Sequence, residues 1–529
     1  MTLPKEVKTV ISFLKKKGHE AYAVGGCVRD LLMKKEPQDW DVTTSAKPEE
    51  IQKIFPESFY ENKFLTVTVQ TTELQRSGKK KADLLRPANR KANLKEIEIT
   101  TFRSEAKYSD KRHPDEVKFA KTLDEDLARR DFTVNAMALE IQNAKIKNQN
   151  YNAKFKIIDP FKGQEDLKNK IIRAVGNPEE RFSEDALRMM RAVRFATTLN
   201  SGVDETNVSS PPFARLQRAW VIEEKTRKAI EKNAPWLRAI AKERIREELM
   251  KIIMSEGAAE GVETLRKTGL LKYIIPELEE GFGISQNKHH IYECYEHALK
   301  SLDYAAKKNF NKYVRLAALF HDIAKPRVKR GEGPTSTFYG HETVGARMTA
   351  RILDRLRFSK KDVEKIVKLV RYHLFYYNVD EVGESSVRRL VRQVGPENMT
   401  DLLQVRMADR IGSGVPKAEP YKLRHLKYII EKVSQDPISV KMLKVSGNDV
   451  MKILKIGSGP KIGKILDVLL GYVLSDPEKN KKDFLEKKVE ELGKLPENKL
   501  QELDRAAGEE KNKIETKKDE MTKKKYWVT

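Results

Sequence analysis

The chain has 529 residues, with 103 Lys+Arg against 78 Asp+Glu and a formal net charge of +25, which is too long for one ordinary domain and points to three or four. The cationic excess calls for a polyanionic partner, nucleic acid above all. No apolar run reaches membrane-spanning length, the start Met1-Thr2-Leu3-Pro4-Lys5-Glu6 does not read as a signal peptide, and Cys27 and Cys294 build no disulfide framework, so a cytoplasmic protein without a membrane or an obligate protein partner is expected.

Residues 5–20 carry Val7, Ile11 and Leu14 at the spacing of one buried helical stripe. Tyr22-Ala23-Val24 reads as a short buried strand running into Gly25-Gly26-Cys27-Val28-Arg29-Asp30, where two glycines let the backbone approach a phosphate and offer it N–H groups. Asp39-Trp40-Asp41 follows, and an extended Asp-x-Asp puts both carboxylates on one side, two hard ligands for Mg²⁺ beside a phosphate cradle. Residues 64–70 and 97–102 read as strands. Between them, residues 71–95 hold a polar, basic insertion, either a loop over RNA or a solvated hairpin. Glu98, in Ile97-Glu98-Ile99, is a candidate third carboxylate or an edge-strand surface residue.

From Asp159-Pro160-Phe161 onward the pattern is almost wholly helical, broken by a polar patch at 200–212. A second helical block spans 260–415, and six of the nine histidines fall between His289 and His373. Gly457-Ser458-Gly459-Pro460-Lys461 reads as a basic helix entry that could hold a phosphate or as an ordinary turn. Residues 477–529 are Lys/Glu-rich, with few large apolar residues, and read as a solvated helix or a frayed tail.

Four motifs occur in order: Asp39-Trp40-Asp41-Val42-Thr43-Thr44, Arg129-Arg130-Asp131-Phe132-Thr133-Val134-Asn135-Ala136-Met137-Ala138, Glu184-Asp185-Ala186-Leu187-Arg188-Met189-Met190-Arg191, and Lys242-Glu243-Arg244-Ile245-Arg246-Glu247-Glu248-Leu249. On these the chain resembles the class II tRNA nucleotidyltransferase (CCA-adding) and bacterial poly(A) polymerase family. The resemblance implies Asp39 and Asp41 as catalytic Mg²⁺ ligands. Gly25, Gly26, Arg29 and Asp30 would lie on the triphosphate side, with Asp30 alternatively orienting Arg29 or capping a helix from Leu31. Arg130, Asp131 and Asn135 would contact the sugar, although Asp131 could instead cap a helix. Asp185 and Arg188, three apart on a helix with Arg191 one turn on, would form the amino-acid template that reads the base edge. Without the resemblance the same pattern reads as a helix salt bridge. Glu243, Arg244 and Glu247 would brace it.

Ala318-Leu319-Phe320-His321-Asp322 resembles the core of an HD-type phosphohydrolase. The resemblance adds His297 upstream and Asp409 downstream as metal ligands, with His341 and His373 available to a second ion. Imidazole and carboxylate together suit Mn²⁺, Ni²⁺, Co²⁺ or Zn²⁺ more than Ca²⁺, and the domain is either active or retained as scaffold.

The expected architecture is a polymerase beta-like α/β nucleotidyltransferase head (1–157), followed by mainly α-helical parts: a neck for base recognition (158–258), an HD-type domain (259–415), a tRNA-binding tail (416–476) and a charged extension (477–529). The expected activity is addition of C and A from CTP and ATP to the 3′ end of tRNA. The alternatives are an A-only or CC-only adder, a poly(A) polymerase, or an HD phosphohydrolase acting on phosphomonoesters or 2′,3′-cyclic phosphates.

Overall fold

The computed structural model describes residues 3–61, 66–70, 96–106, 116–142, 154–199, 220–287, 291–434 and 440–528. The expected insertions at 71–95 and 200–212 lie outside the described residues. The chain divides into two units, Met1–Arg371 with Ala408–Gly414, and Tyr372–Met407 with Val415–Thr529.

In the first unit, α1 (Lys5–Lys16) buries Val7, Val10, Ile11 and Leu14, the expected stripe with one residue more. It packs on β1 (Ala21–Val24) and β2 (Trp40–Thr44). These strands belong to a seven-stranded sheet completed by β3 (Phe59–Glu61), β4 (Thr66–Gln70), β5 (Glu96–Thr101), β8 (Ala138–Gln142) and β9 (Lys154–Ile158), in the order β3-β4-β5-β2-β1-β8-β9. β2 and β5 run parallel, whereas the other neighbours are antiparallel. Val42, Val67, Val69, Ile97 and Ile99 fill the core beneath it, each alternating with a more polar neighbour. β5 lies between β4 and β2, so Glu98 is not on an edge strand. α2 (Gly26–Leu32) and α3 (Pro48–Ile54) connect these strands, and a separate hairpin, β6 (Arg103–Ala106) with β7 (Glu116–Phe119), precedes α4 (Leu123–Ala128).

After β9 come α5 (Gly163–Asn169), α6 (Pro178–Glu184), α7 (Leu187–Thr198), α8 (Glu224–Asn233), α9 (Lys242–Ile253) and α10 (Ala258–Lys267). The expected all-helical pattern is interrupted by a two-residue parallel pair, β10 (Ile171–Ile172) with β11 (Val221–Ile222). α7 buries Leu187, Met190 and Val193, one helical stripe, and Met189 and Ala192 besides. That wider apolar surface lets it pack against both α9 and α10.

α11 (Cys294–Lys307), α12 (Lys312–Phe320), α13 (His341–Arg355) and α14 (Lys360–Tyr372) follow. Arg315 of α12 is 1% exposed. It donates to the carbonyls of Ile253 (3.0 Å), Ser255 (2.8 Å), Ala306 (3.3 Å) and Phe310 (2.8 Å) and to Oδ1 of Asn309 (3.2 Å). These acceptors lie at or just beyond the C-termini of α9 and α11, where carbonyls lack helical partners, and together they satisfy a fully buried cation.

The second unit contains α15 (Glu384–Val394), most of α16 (Met399–Gly412), α17 (Tyr421–Ser434), α18 (Gly447–Leu454), α19 (Pro460–Ser475), α20 (Lys482–Gly493) and α21 (Glu497–Tyr526). The Lys/Glu-rich end is ordered helix rather than a frayed tail. Its sparse apolar residues Leu485, Val489, Leu492 and Leu500 enter one core with Ile465, Leu469 and Val473 of α19. Tyr428 of α17 bonds Asp519, and Tyr526 donates to Glu431 at 2.6 Å, so polar contacts hold the rest of α21 down. The glycines at 457, 459 and 463 have open space around them. Among the described residues no helix is long and apolar enough to cross a membrane.

Candidate functional site

The chain leaves β1 at Val24 and turns at Gly25, whose φ is 84°. More than backbone preference requires glycine here: a Cβ would stand 2.7 Å from Nη1 of Arg130 and 3.6 Å from Oδ2 of Asp41. The turn, one guanidinium and one carboxylate thus meet at a point. Asp41 is half-buried, and its register partner across the parallel β2–β5 ladder is Glu98, so the two carboxylates leave the sheet on the same face. Asp39 is exposed in a bend ahead of β2, not inside an extended strand as the Asp-x-Asp alternation implied. Trp40, 5% exposed, is the first strand residue and anchors the ladder from below. Burial, then the charge of Asp39, pushes the Asp41 carboxyl up, and Arg130 draws it down. The carboxylates of Asp41 and Glu98 on one face offer hard oxygen ligands that suit a divalent ion, and the N–H groups of the adjoining turn suit the phosphate such an ion would accompany.

Gly26 opens α2, and Arg29 and Asp30 lie within it. Asp30 therefore does not cap a helix from Leu31. It holds Arg29 instead, accepting from Nε at 2.8 Å and lying 2.7 Å from Nη2. Arg29 Nη1 donates to Asn135 Oδ1 at 2.7 Å. Asn135 Nδ2 in turn donates to Asp131 Oδ1 at 3.1 Å, and Asp131 Oδ2 meets Arg191 at 2.8 Å from Nε and 2.6 Å from Nη2. The run Asp30–Arg29–Asn135–Asp131–Arg191 crosses from α2 to α7 in one polar chain. Burial opposes the charge on Asp131, but Arg191 and Asn135 outweigh it and lower the carboxyl to about 2. Asp131 and Asn135 adjoin as expected, although through a 3-10 turn (Thr133–Asn135) rather than an α-helix.

The expected Asp185–Arg188 pair does not form on one helix. α6 ends at Glu184, Asp185 is extended (φ −138°, ψ 104°), and α7 starts at Leu187. Asp185 Oδ1 accepts the Leu187 N–H at 3.0 Å, capping α7, and Oδ2 pairs with Arg244 of α9 at 2.8 Å. Arg188 Nη1 meets Glu184 at 2.6 Å, and Nη2 donates to the Arg129 carbonyl at 3.3 Å. Both side chains are therefore rigidly held, but by separate partners. Arg194 pairs with Glu248 at 2.6 Å and lies 3.9 Å over the Phe195 ring. Arg29 and Arg191 approach the same ring at 5.3 and 5.5 Å. Glu184, Phe195 and Glu248 were missed as site residues. The first and last stand inside quoted motifs, whereas an aromatic in a helical apolar stripe carries no signal of its own.

A second cluster lies in the same unit. His297, His321, Asp322 and Asp409 are all buried, with one ligand atom from each within 4.8 Å of the others. The two Nε2 atoms of His297 and His321 are 2.8 Å apart, and Asp322 Oδ2 lies 3.1 and 3.3 Å from them. Asp409 Oδ1 is 3.5 Å from His297 and 3.6 Å from His321. His321 Nδ1 donates to the Ala318 carbonyl at 2.8 Å, which turns its Nε2 toward the cluster. Nitrogen lone pairs and carboxylate oxygens converging in a buried space call for a cation, a fit for a divalent metal. Burial works against the imidazolium of His321, yet Asp322 and Asp409 push its pKa up to about 10. Lys325 Nζ lies 2.6 Å from Asp322, and His341 Nε2 lies 3.3 Å from it. His373 belongs to the other unit.

Three family descriptions match the chain: "Poly A polymerase head domain" over residues 21–173, "Probable RNA and SrmB- binding site of polymerase A" over 221–282, and "HD domain" over 289–411. An A-adding tRNA nucleotidyltransferase of Deinococcus radiodurans is 32% identical over 369 residues, 67% of this chain and 76% of that protein. A CCA-adding enzyme of Lactobacillus helveticus is 43% identical over 244 residues, 46% of this chain and 48% of that one, so the chain spans about half the length of this relative. The crystal structure of the Bacillus stearothermophilus CCA-adding enzyme in complex with CTP superposes with a TM-score of 0.52 at 26% identity, covering 92% of this chain and 98% of that one. The chain belongs to the tRNA nucleotidyltransferase and poly(A) polymerase family, with an HD domain behind its nucleotidyltransferase head and RNA-binding helices.

Proposed function

We propose that the chain adds C and A from CTP and ATP to the 3′ end of tRNA without a nucleic-acid template. The observation that carries this reading is the meeting of the Gly25 turn, Arg130 and the register-paired Asp41 and Glu98 in a head of this family. Asp39 and Asp41 would hold Mg²⁺, with Glu98 beside them as the third carboxylate. Bound there, the ion would supply activation of a 3′-hydroxyl and neutralisation of charge on the leaving pyrophosphate. Arg130, expected among the sugar contacts, is assigned instead to the triphosphate with the N–H groups of the Gly25-Gly26 turn, because its Nη1 stands against that turn. Asp131 and Asn135, already polarised by Arg191 and Arg29, face the sugar. Asp185 and Arg188, each locked by its own partner, present an acceptor and a donor to the base edge. Rigid anchoring favours this task, because a template must not follow the base it reads. The +25 charge draws the acceptor RNA, and the composition fits a cytoplasmic enzyme.

The test uses purified protein, tRNA lacking one, two or three 3′ nucleotides, and each labelled nucleoside triphosphate in turn. Two C additions followed by one A are expected. A single A on tRNA ending in CC, with no C on shorter tRNA, would make the chain an A-adder. Runs of A would make it a poly(A) polymerase.

A second reading rests on the converging donors of His297, His321, Asp322 and Asp409: metal-dependent hydrolysis of phosphomonoesters or 2′,3′-cyclic phosphates, with Mn²⁺, Ni²⁺ or Co²⁺ in the site. His321→Ala with Asp322→Ala removes such hydrolysis and spares nucleotide addition. Hydrolysis that survives the double change, or is absent with every metal in the parent protein, leaves the cluster structural.

A further inference from the structure

A carboxylate outside the expected site lies directly under it. Asp126, the fourth residue of α4, is fully buried. Its Oδ1 accepts from Arg129 Nε at 3.0 Å and Nη2 at 2.8 Å, and from the Arg103 backbone N–H at 3.4 Å. Its Oδ2 accepts from Thr43 Oγ1 at 3.2 Å and lies 3.6 Å from Arg130 Nη2. One side chain thus ties together β2, two residues beyond Asp41, the start of β6, and both arginines of the second motif. Burial opposes its charge, yet Arg129 and Arg130 lower its pKa, so it is a carboxylate in the folded protein.

Arg130 is the group that needs this anchor. Its guanidinium stands between two carboxylates: Nη2 faces Asp126, and Nη1 abuts the Gly25 turn on the Asp41 side. Its buried Nε has no hydrogen-bond partner. The ion pair with Asp126 holds the Nη2 side of this guanidinium, so its position against the turn depends on the charge beneath it.

We infer that Asp126 is a positioning residue for nucleotidyl transfer, presenting the Arg130 guanidinium to the triphosphate at the Gly25 turn while Thr43 registers the same carboxylate to the metal-binding strand. The inference rests on the reading of the head as a nucleotidyltransferase, and it concerns how the triphosphate is held. Removing the charge should loosen a cation in nucleotide binding and leave tRNA binding unaffected.

The experiment compares the full chain, Asp126→Asn, Arg130→Ala and the double variant in single-nucleotide addition to truncated tRNA. Asp126→Asn should raise KM for the nucleoside triphosphate about tenfold or more, the scale of one charged hydrogen bond. The Kd for tRNA should stay within about twofold. On the Arg130→Ala background the same change should add little, because the group it positions is gone. An equal rise in KM on both backgrounds, or parallel loss of kcat and tRNA affinity, would overturn the inference. If Asp126→Asn does not fold, Asp126→Glu keeps the charge but displaces it by one methylene, and the same cycle with Arg130→Ala decides. Asp41→Ala, run alongside, separates the two claims. Transfer that survives it refutes the nucleotidyltransferase site, whereas failure of the Asp126 cycle refutes only the positioning role.

Discussion

Asp41 and Glu98 stand opposite one another across the parallel β2–β5 ladder, in the sheet interior and on the same face. The ladder's backbone hydrogen bonds fix these two residues as register partners, so both side chains start from neighbouring positions on one face of the sheet.

Glu98→Gln should therefore cut nucleotide addition by about tenfold to a hundredfold, the usual effect of losing a group that supports a metal site, while Asp41→Ala abolishes it. Both variants should bind tRNA as the parent does. Steady-state addition to truncated tRNA checks this, and a Glu98→Gln enzyme with unchanged kcat would return Glu98 to the role of a surface carboxylate.

The Asp185–Arg244 pair yields a prediction that the third motif alone would not. If Asp185 reads the base, Arg244→Ala should loosen it and reproduce most of the loss of selectivity seen in Asp185→Ala, although Arg244 lies 59 residues on, in α9. Discrimination of CTP and ATP against UTP should fall by about tenfold in each, the scale of one well-placed hydrogen-bonding pair. Competition assays with labelled UTP measure it. Full selectivity in Arg244→Ala would show that capping alone fixes Asp185.

Asp131 carries a pH dependence. Its folded-state value, about 2 against an ordinary 3.8, is depressed, so its stabilising effect is complete above 3.8 and is lost as pH falls through about 2. Asp131→Asn should be less stable than the parent by about 2 kcal/mol near neutrality. The gap should hold from pH 7 to about pH 4 and narrow only below that. Urea unfolding of both proteins across this range checks it, and a gap that closes at pH 5 or 6 would assign the loss to another group.

How much of this was legible in the sequence follows from the distance over which each interaction acts. The α1 stripe, the β1 strand into its turn, and the buried positions of α7 repeat within a few residues, and periodicity reveals them. The partners of the site residues do not. Arg29 meets Asn135 across 106 residues, and Asp185 meets Arg244 across 59. With only spacing to go on, Arg188 looked like the natural neighbour of Asp185, because a helix was assumed through a point where the chain is extended. The charged end left a solvated helix and a frayed tail both open for a related reason. Few apolar residues usually mean little burial, but Leu485, Val489, Leu492 and Leu500 are placed to enter one core.

Arg315 sets where this protein can be cut or recombined. Its guanidinium sits in α12, whose C-terminus delivers His321 and Asp322, yet two of its acceptors are the carbonyls of Ile253 and Ser255 at the far end of the helix that carries Arg244 and Glu248. A fragment starting at residue 259 would keep the cation and leave those two acceptors behind, exposing a charge with no ready substitute. A chimera exchanging the histidine-bearing helices between relatives should place its junction upstream of Ile253, so that the arginine and the carbonyls that receive it travel together.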